Sequence, residues 1–218
     1  MKIYGKMPEV ISEEVVKNDS TMMCLYMPIK LSDSLDMRIP DQFLWVTNLL
    51  YEIFVRDMCV SDQRSKYIYL TVKSGWVSGD HTMQRPGFHT DGFMTDDINY
   101  LWSDNNPTQF IGGCIMGVPE DHEESLEYFD SILEGTGLEP KEYPNNTLLK
   151  LNDRVIHRAR PVMTPGFRNF VKITVSGHQY RLKGNTVNPM LDSGWINDVE
   201  RKISRNCPLG EFNEKCKS

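Results

Sequence analysis

Arg85-Pro86-Gly87-Phe88-His89-Thr90-Asp91-Gly92-Phe93 is the stretch on which the reading of this chain turns. It follows a β-like run and sets a histidine and a carboxylate two residues apart between two glycines. On a strand, residues two apart point to the same side, so extended backbone here aims His89 and Asp91 at one point. A third residue of the right type, His157, lies far along the chain in Asp153-Arg154-Val155-Ile156-His157-Arg158-Ala159. Two imidazoles and one carboxylate fill one face of an octahedron. The open positions suit a bidentate co-substrate and O₂ on non-haem Fe(II). Catalytic zinc takes the same number of protein ligands, so the three side chains alone leave the metal open.

The His-x-acid triplet is weak by itself. Five histidines and 30 acids in 218 residues supply about one such triplet by chance. His122-Glu123-Glu124 is a decoy of this kind. It opens an acidic helical stretch, and on a helix i and i+2 do not share a face. His89 and Asp91 differ in context, since strand-like runs precede and follow them. His81 and His178 have no acid at strand spacing and read as structural or surface residues.

The bulk properties bound the rest. A chain of 218 residues, 39% hydrophobic and 25% charged, reads as one soluble domain able to bury a substantial core. Its net charge of −6 disfavours extended contact with duplex nucleic acid, whose phosphates call for Lys and Arg. A nucleotide, or one base in a pocket, remains compatible. The five cysteines are scattered, odd in number and without a C-x-x-C pair, which argues against a zinc ribbon and a disulfide framework. No apolar run approaches the ~20 residues of a membrane span, and the N-terminus has no apolar signal core. Cytoplasmic is the expected location.

Residues 1–60 read as an arm followed by a supporting helix. Phe43, Val46, Leu50, Ile53 and Phe54 recur at three- and four-residue steps and predict a helix from about Asp41 to Met58. Met22–Leu31 reads as a strand interrupted by Pro28, which suits a sheet edge. Between 66 and 176 the chain predicts a run of strands: Tyr67–Val72, extended or followed by Trp76-Val77; Ile98–Trp102; Thr108–Met116; Thr147–Leu151; Arg154–Ala159; and Phe170–Ser176. An acidic helix over Glu120–Leu133 interrupts them. Residues 177–218 form a loop-rich tail, with a helix expected over Trp195–Arg205. The pattern is mainly β, with helices against one face.

Asp153-x-x-x-His157, followed by Pro161-Val162, Gly166, Arg168 and Ile173-Thr174-Val175, resembles the closing strands of the Fe(II)/2-oxoglutarate-dependent dioxygenases. The spacing is similar to that of the phytanoyl-CoA hydroxylase and taurine dioxygenase groups, and the run also looks like the prolyl hydroxylases. The resemblance spans roughly residues 66–176. It implies a double-stranded β-helix, the jelly roll or cupin-like barrel, with Fe(II) on His89, Asp91 and His157. It implies 2-oxoglutarate as co-substrate with O₂, its distal carboxylate meeting Arg168, whose planar fork suits a carboxylate. Thr108 is carried over as a further co-substrate contact, and Lys172, in strand phase with Arg168, is the alternative anchor. Arg158 and Arg160 read as rim charges or as contacts to an anionic substrate. Because the ligating Asp91 is present, the resemblance implies C–H oxidation rather than halogenation, of a small-molecule or nucleotide substrate. Two other readings stand beside it: a metal-dependent cupin-like enzyme that does not use 2-oxoglutarate, and a non-catalytic binding barrel. The chain has no Walker, G-x-G-x-x-G or G-x-S-x-G motif.

Overall fold

The structure is a computed structural model that describes residues 2–57, 64–79, 81–84 and 87–201. In chain order its elements are β1 (Glu9–Glu13), β2 (Met22–Lys30), α1 (Thr47–Arg56), β3 (Tyr67–Val77), β4 (Ile98–Ser103), β5 (Gln109–Ile111), α2 (His122–Thr136), β6 (Lys141–Glu142), β7 (Thr147–Leu151), β8 (Ile156–Arg158) and β9 (Gly166–Ser176). They form a six-stranded sheet in the order β1-β7-β4-β9-β3-β2 and a three-stranded sheet in the order β6-β5-β8. All pairings within both sheets are antiparallel.

The six-stranded sheet is built on its two longest strands, which are rich in β-branched and aromatic residues. β3 and β9 pair along their whole length, from Tyr67 opposite Ser176 to Val77 opposite Gly166. Period-two alternation then divides β9 between two environments. Val171, Ile173 and Val175 join the core under α1, together with Ile68, Leu70 and Val72 of β3 and Tyr100 and Trp102 of β4. Arg168, Phe170 and Lys172 face the other way, toward the three-stranded sheet. There Leu101, Leu149, Leu151 and Phe170 share a core with Phe110 and Val155.

α1 closes the outer side of the large sheet. The expected single helix is a 3-10 turn over Asp41–Val46 followed by α1; Met58, its expected end, lies outside the described residues. In a 3-10 turn, side chains at i and i+3 eclipse, which places Phe43 and Val46 in line, and both are buried. Leu49, Leu50 and Ile53 continue the stripe, each burial stabilising by about 1.5–3 kcal/mol. α2 closes the outer side of the small sheet, with Phe129 and Ile132 packed with Phe88, Phe93, Ile111 and Ile156. Helices therefore cover both outer faces rather than one. Asp121 caps α2 by accepting from the backbone N–H groups of Glu123 (2.8 Å) and Glu124 (3.1 Å), and Gly137, at φ 65°, ends it.

Several expectations change in detail. The N-terminal arm contributes a strand, β1, because its backbone finds a partner in β7. Pro28 sits on the edge strand β2, as expected, and the ladder shifts register beside it. Trp76-Val77 extends β3 rather than starting a neighbour. The Gly112-Gly113 bend shortens the fifth strand to three residues. Residues 195–201 are not helical: Val199 bridges Leu182 in extended backbone, and 202–205 lie outside the described residues. Cys24 and Cys114 are free thiols; Cys59, Cys207 and Cys216 lie outside the described residues. No described helix is long and apolar enough to cross a membrane.

One buried acid is held at the end of the large sheet. Asp97 accepts a hydrogen bond from Tyr180 Oη, and Tyr180 Oη in turn accepts from Ser176 Oγ (3.0 Å). Burial raises the Asp97 carboxyl above its ordinary range, against the opposing hydrogen bonds of Ser176 and Tyr180. A carboxyl raised in the folded state penalises folding once pH exceeds its folded pKa, and the penalty vanishes below its unfolded value. Asp97→Asn is therefore expected to raise the melting temperature at pH 7 and to leave it unchanged below pH ~4, near the unfolded value. Thermal unfolding at the two pH values checks this, and an equal shift at both would contradict it.

Candidate metal centre

His89, Asp91 and His157 come together. One ligand atom from each lies within 4.8 Å of the others, and among the described residues this is the one such group of histidines, cysteines and acids. The two histidines are partners across a β-bridge: His89 N–H donates to His157 O (2.9 Å) and His157 N–H to His89 O (2.8 Å). The bridge sets a single position of the ligand stretch beside β8, on the edge away from β5. Their ring centroids are 4.6 Å apart.

Each imidazole is fixed by its second nitrogen. His89 Nδ1 lies 3.1 Å from Gly87 O and His157 Nδ1 lies 3.0 Å from Val155 O. A carbonyl oxygen only accepts, so both Nδ1 atoms carry the proton. Both Nε2 atoms then present a lone pair, the form a metal takes. His157 Nε2 lies 3.4 Å from Asp91 Oδ2. Bonds of ~2.1 Å meeting between a right angle and a tetrahedral angle put neighbouring donor atoms about 3.0–3.5 Å apart, so the pair is spaced for a shared ion.

Asp91 reaches its place by a turn, not by a continuing strand. Only His89 is in β-bridge geometry, and residues 91–94 turn, with Thr95 N–H donating to Gly92 O (2.9 Å). Gly92 has φ +71°, and a Cβ there would meet Asp97 Cβ and Thr95 Oγ1 at 2.8 Å. On the other side of the stretch, Phe88 N–H donates to Asp130 Oδ1 of α2 (2.8 Å). The ligand stretch is thus held by β8 at His89, by α2 at Phe88 and by a glycine turn after Asp91.

The centre opens into a cavity of about 240 Å³ whose wall includes Tyr26, Thr71, Lys73, Thr108 and Lys172. Lys172 Nζ donates to Asp91 Oδ1 (3.1 Å) and Tyr26 Oη (3.0 Å). Burial would raise the Asp91 carboxyl, but the charges around it, the Lys172 ammonium first among them, outweigh burial and hold it well below the ordinary range. Asp91 is therefore an anion, with Oδ1 taken by Lys172 and Oδ2 turned to the histidines. Burial lowers Lys172, and Asp91 and Tyr26 more than restore it.

Thr108 lies in the cavity wall. Arg168 is buried but does not line this cavity. Its Nε donates to Asn105 O (2.8 Å) and Asn106 O (3.1 Å). Its terminal nitrogens face Gln84, whose amide oxygen, in the orientation that satisfies both residues, accepts from them at 2.7 and 3.1 Å. Burial pushes the guanidinium down to about 10, against the pull of Asp104. Gln84 lines both the cavity beside the centre and the small cleft that holds Arg168, so it stands between them.

Arg158 and Arg160 are rim charges. Arg158 lies over the Phe88 ring (4.3 Å) and donates to Gln109 Oε1 (2.9 Å); Arg160 pairs with Glu142 (3.0 Å). Phe88, Phe93, Tyr100 and Trp102 are core residues. His122 opens α2 with its ring edge against Phe93, and Glu123 and Glu124 are exposed. His178 lies 3.8 Å from Asp96, away from the centre.

Sequence reasoning missed Lys73, Tyr26 and Arg201 as cavity residues. Lys73 had a signal: it shares phase with Tyr69 and Thr71 on a strand whose other phase is apolar. Tyr26 had none, because a register shift in β2 (Cys24 to Met27) and its φ of 45° turn it inward. Gly92→Ala is expected to weaken Co(II) binding about tenfold, since forcing a side chain into this φ costs ~1–3 kcal/mol at the residue that positions Asp91. A titration of the visible Co(II) spectrum, with far-ultraviolet circular dichroism to show the sheets intact, measures it; unchanged affinity would contradict this role of the turn.

No protein-family model matches the chain and no curated protein is detectably similar to it, so what can be said of the centre's chemistry rests on its own donors and cavity.

Proposed function

We propose that the chain is a non-haem Fe(II)- and 2-oxoglutarate-dependent oxygenase that oxidises a C–H bond of a small-molecule or nucleotide-type substrate, releasing succinate and CO₂. The observation that carries this is the donor set: two imidazoles each held through Nδ1, one ionised carboxylate, and a cationic cavity beside them. Such a set fills half of an octahedral shell, and the rest is open to a chelating co-substrate. The double-stranded β-helix is part of the proposal. From β3 onward the chain alternates between the two sheets, passing from β3 to His89, to β4, to β5 and β6, to β7, to β8 and to β9. That back-and-forth course is what winding two strands into a jelly roll requires.

Each residue then has a task. His89, Asp91 and His157 hold Fe(II). Lys172 fixes the Asp91 carboxylate so that one oxygen ligates. Arg168 is assigned to the distal carboxylate of 2-oxoglutarate, because its terminal nitrogens already face one paired acceptor, the Gln84 oxygen, and a carboxylate offers that acceptor geometry twice. Thr108 contributes a hydroxyl to the same wall. Bound Fe(II) would supply the redox chemistry that couples decarboxylation of 2-oxoglutarate by O₂ to C–H oxidation. Leu101 and Phe170 in the wall keep that side dry.

A metal enzyme of the same architecture without 2-oxoglutarate is the competing reading. The engagement of Arg168 by the neutral acceptors of Asn105, Asn106 and Gln84 favours it. Anaerobic Fe(II) and 2-oxoglutarate separate the two: the proposal expects a weak visible charge-transfer band in the wild type. His89→Ala and Asp91→Ala abolish the band, and Arg168→Ala raises the 2-oxoglutarate needed to develop it by about tenfold or more. A metal-loaded protein with no band, or a band indifferent to all three substitutions, would sink the proposal.

A further inference from the structure

The cavity beside the metal ligands holds more positive charge than the ligands and the co-substrate use. Among the described residues its charged lining is Lys73, Lys172, Arg201 and Asp91. Lys172 is paired with Asp91. Lys73 and Arg201 are paired with no carboxylate among the described residues, and their acceptors are neutral. Lys73 Nζ donates to Met83 O (2.8 Å). Arg201 donates through Nε to Lys183 O (3.2 Å) and through its terminal nitrogen to Asn185 Oδ1. The chain as a whole carries −6, so this concentration runs against the average of the molecule.

Arg201 is brought to the cavity by a segment built for the purpose. After β9 the chain returns across β2, the edge strand. Thr186 N–H donates to Leu25 O (2.8 Å) and Leu25 N–H to Thr186 Oγ1 (3.0 Å). Asn188, buried, donates to Pro28 O (2.9 Å) and Arg38 O (2.8 Å). Asn185, also buried, donates to Tyr180 O (3.0 Å), while its own side-chain oxygen accepts from Arg201. Lys183 and Val199 hold the returning backbone together (2.8 Å). The asparagines of this tail are thus clamps that hold the Arg201 guanidinium in the cavity wall.

Charge balance then asks for a second anion. Fe(II) and dianionic 2-oxoglutarate cancel, as do Asp91 and Lys172. Lys73 and Arg201 in the cavity wall, and Arg168 behind Gln84, are then left with no net anionic charge to offset them, and an unpaired charge in a partly dry cavity is unfavourable. Burial, with the neighbouring Lys172 and Arg168, already pushes Lys73 down to about 8, and Arg201 adds to the same repulsion. We infer that the substrate to be oxidised carries an oxyanion group, a phosphate or a carboxylate, and that Lys73 and Arg201 bind it. A guanidinium fork and a mobile ammonium are suited to share such a group. The inference rests on the oxygenase reading, to which it adds the chemical class of the substrate.

The test uses wild-type protein loaded anaerobically with stoichiometric Fe(II) and saturating 2-oxoglutarate. Inorganic phosphate and, separately, acetate are titrated into it by calorimetry, and the visible band is recorded on the same samples. One of the two anions is expected to bind with the band retained, phosphate marking a phosphorylated substrate and acetate a carboxylic acid. Lys73→Met and Arg201→Met should each weaken that binding about tenfold or more, and Lys73→Arg and Arg201→Lys should restore most of it. Arg201 lies in the returning segment outside both sheets, so its substitution leaves the core intact. A wild type that shows the band but binds neither anion overturns the inference and leaves the oxygenase reading standing. So does anion binding unchanged in both Met variants, or a Lys73→Met protein whose only change is a raised 2-oxoglutarate requirement. A wild type without the band overturns the oxygenase reading itself, and the inference with it.

Discussion

Two backbone hydrogen bonds between His89 and His157 hold the centre together. Each residue donates to and accepts from the other, so two segments distant in sequence are locked in one register. The same β-bridge geometry that pairs their backbones sends both side chains to one face. The ring orientation follows from a second repeated device, in which each Nδ1–H meets the carbonyl two residues earlier, Gly87 or Val155. A one-residue slip of the bridge would turn one imidazole to the opposite face. What prevents the slip is packing on the far side of the small sheet, where Ile156 and Phe88 are buried with Phe129 and Ile132 of α2. α2 is thus a remote support of the centre rather than a part of it.

The second organising constraint is electrostatic. The inner face of the large sheet carries Arg168 and Lys172 on β9 and Lys73 on β3, with Phe170 opposite Lys73 in the ladder. One carboxylate, Asp91, answers them. Lys172 takes that carboxylate, and Arg168 settles for two carbonyls and an amide oxygen. A site arranged in this way favours anions strongly and would hold a neutral substrate poorly. On the proposed reading, bound anions would offset the cost of gathering like charges, and this would account for polar residues at strand positions that a purely structural sheet would fill with valine or isoleucine.

Much of this was legible in the sequence, for identifiable reasons. β3, β4, β7 and β9 appear as apolar and β-branched runs because one face of each is buried under helices. The three candidate ligands were legible because histidine and aspartate at strand spacing, with a second histidine on a later strand, are unusual together. The reading failed where tertiary contact overrides local pattern. β1 has an ordinary polar sequence and becomes a strand only because β7 offers it an open edge. Asp91 reaches the centre through a glycine turn rather than strand alternation, so the local reason given for its direction was incomplete. Arg201 could not be found at all, since only the folded path of the Asn185 and Asn188 clamps brings the tail to the cavity. Arg168 was placed on the right strand, but its engagement by Asn105, Asn106 and Gln84 depends on loops whose course no periodicity encodes.

The account stands or falls on iron bound by His89, Asp91 and His157. Crystals grown anaerobically with Fe(II), measured on both sides of the iron absorption edge, give the most direct answer. The account predicts one anomalous peak at full occupancy, within bonding distance of His89 Nε2, His157 Nε2 and Asp91 Oδ2. A map with no peak there, or with iron held by other residues while these three side chains remain in place, would contradict it.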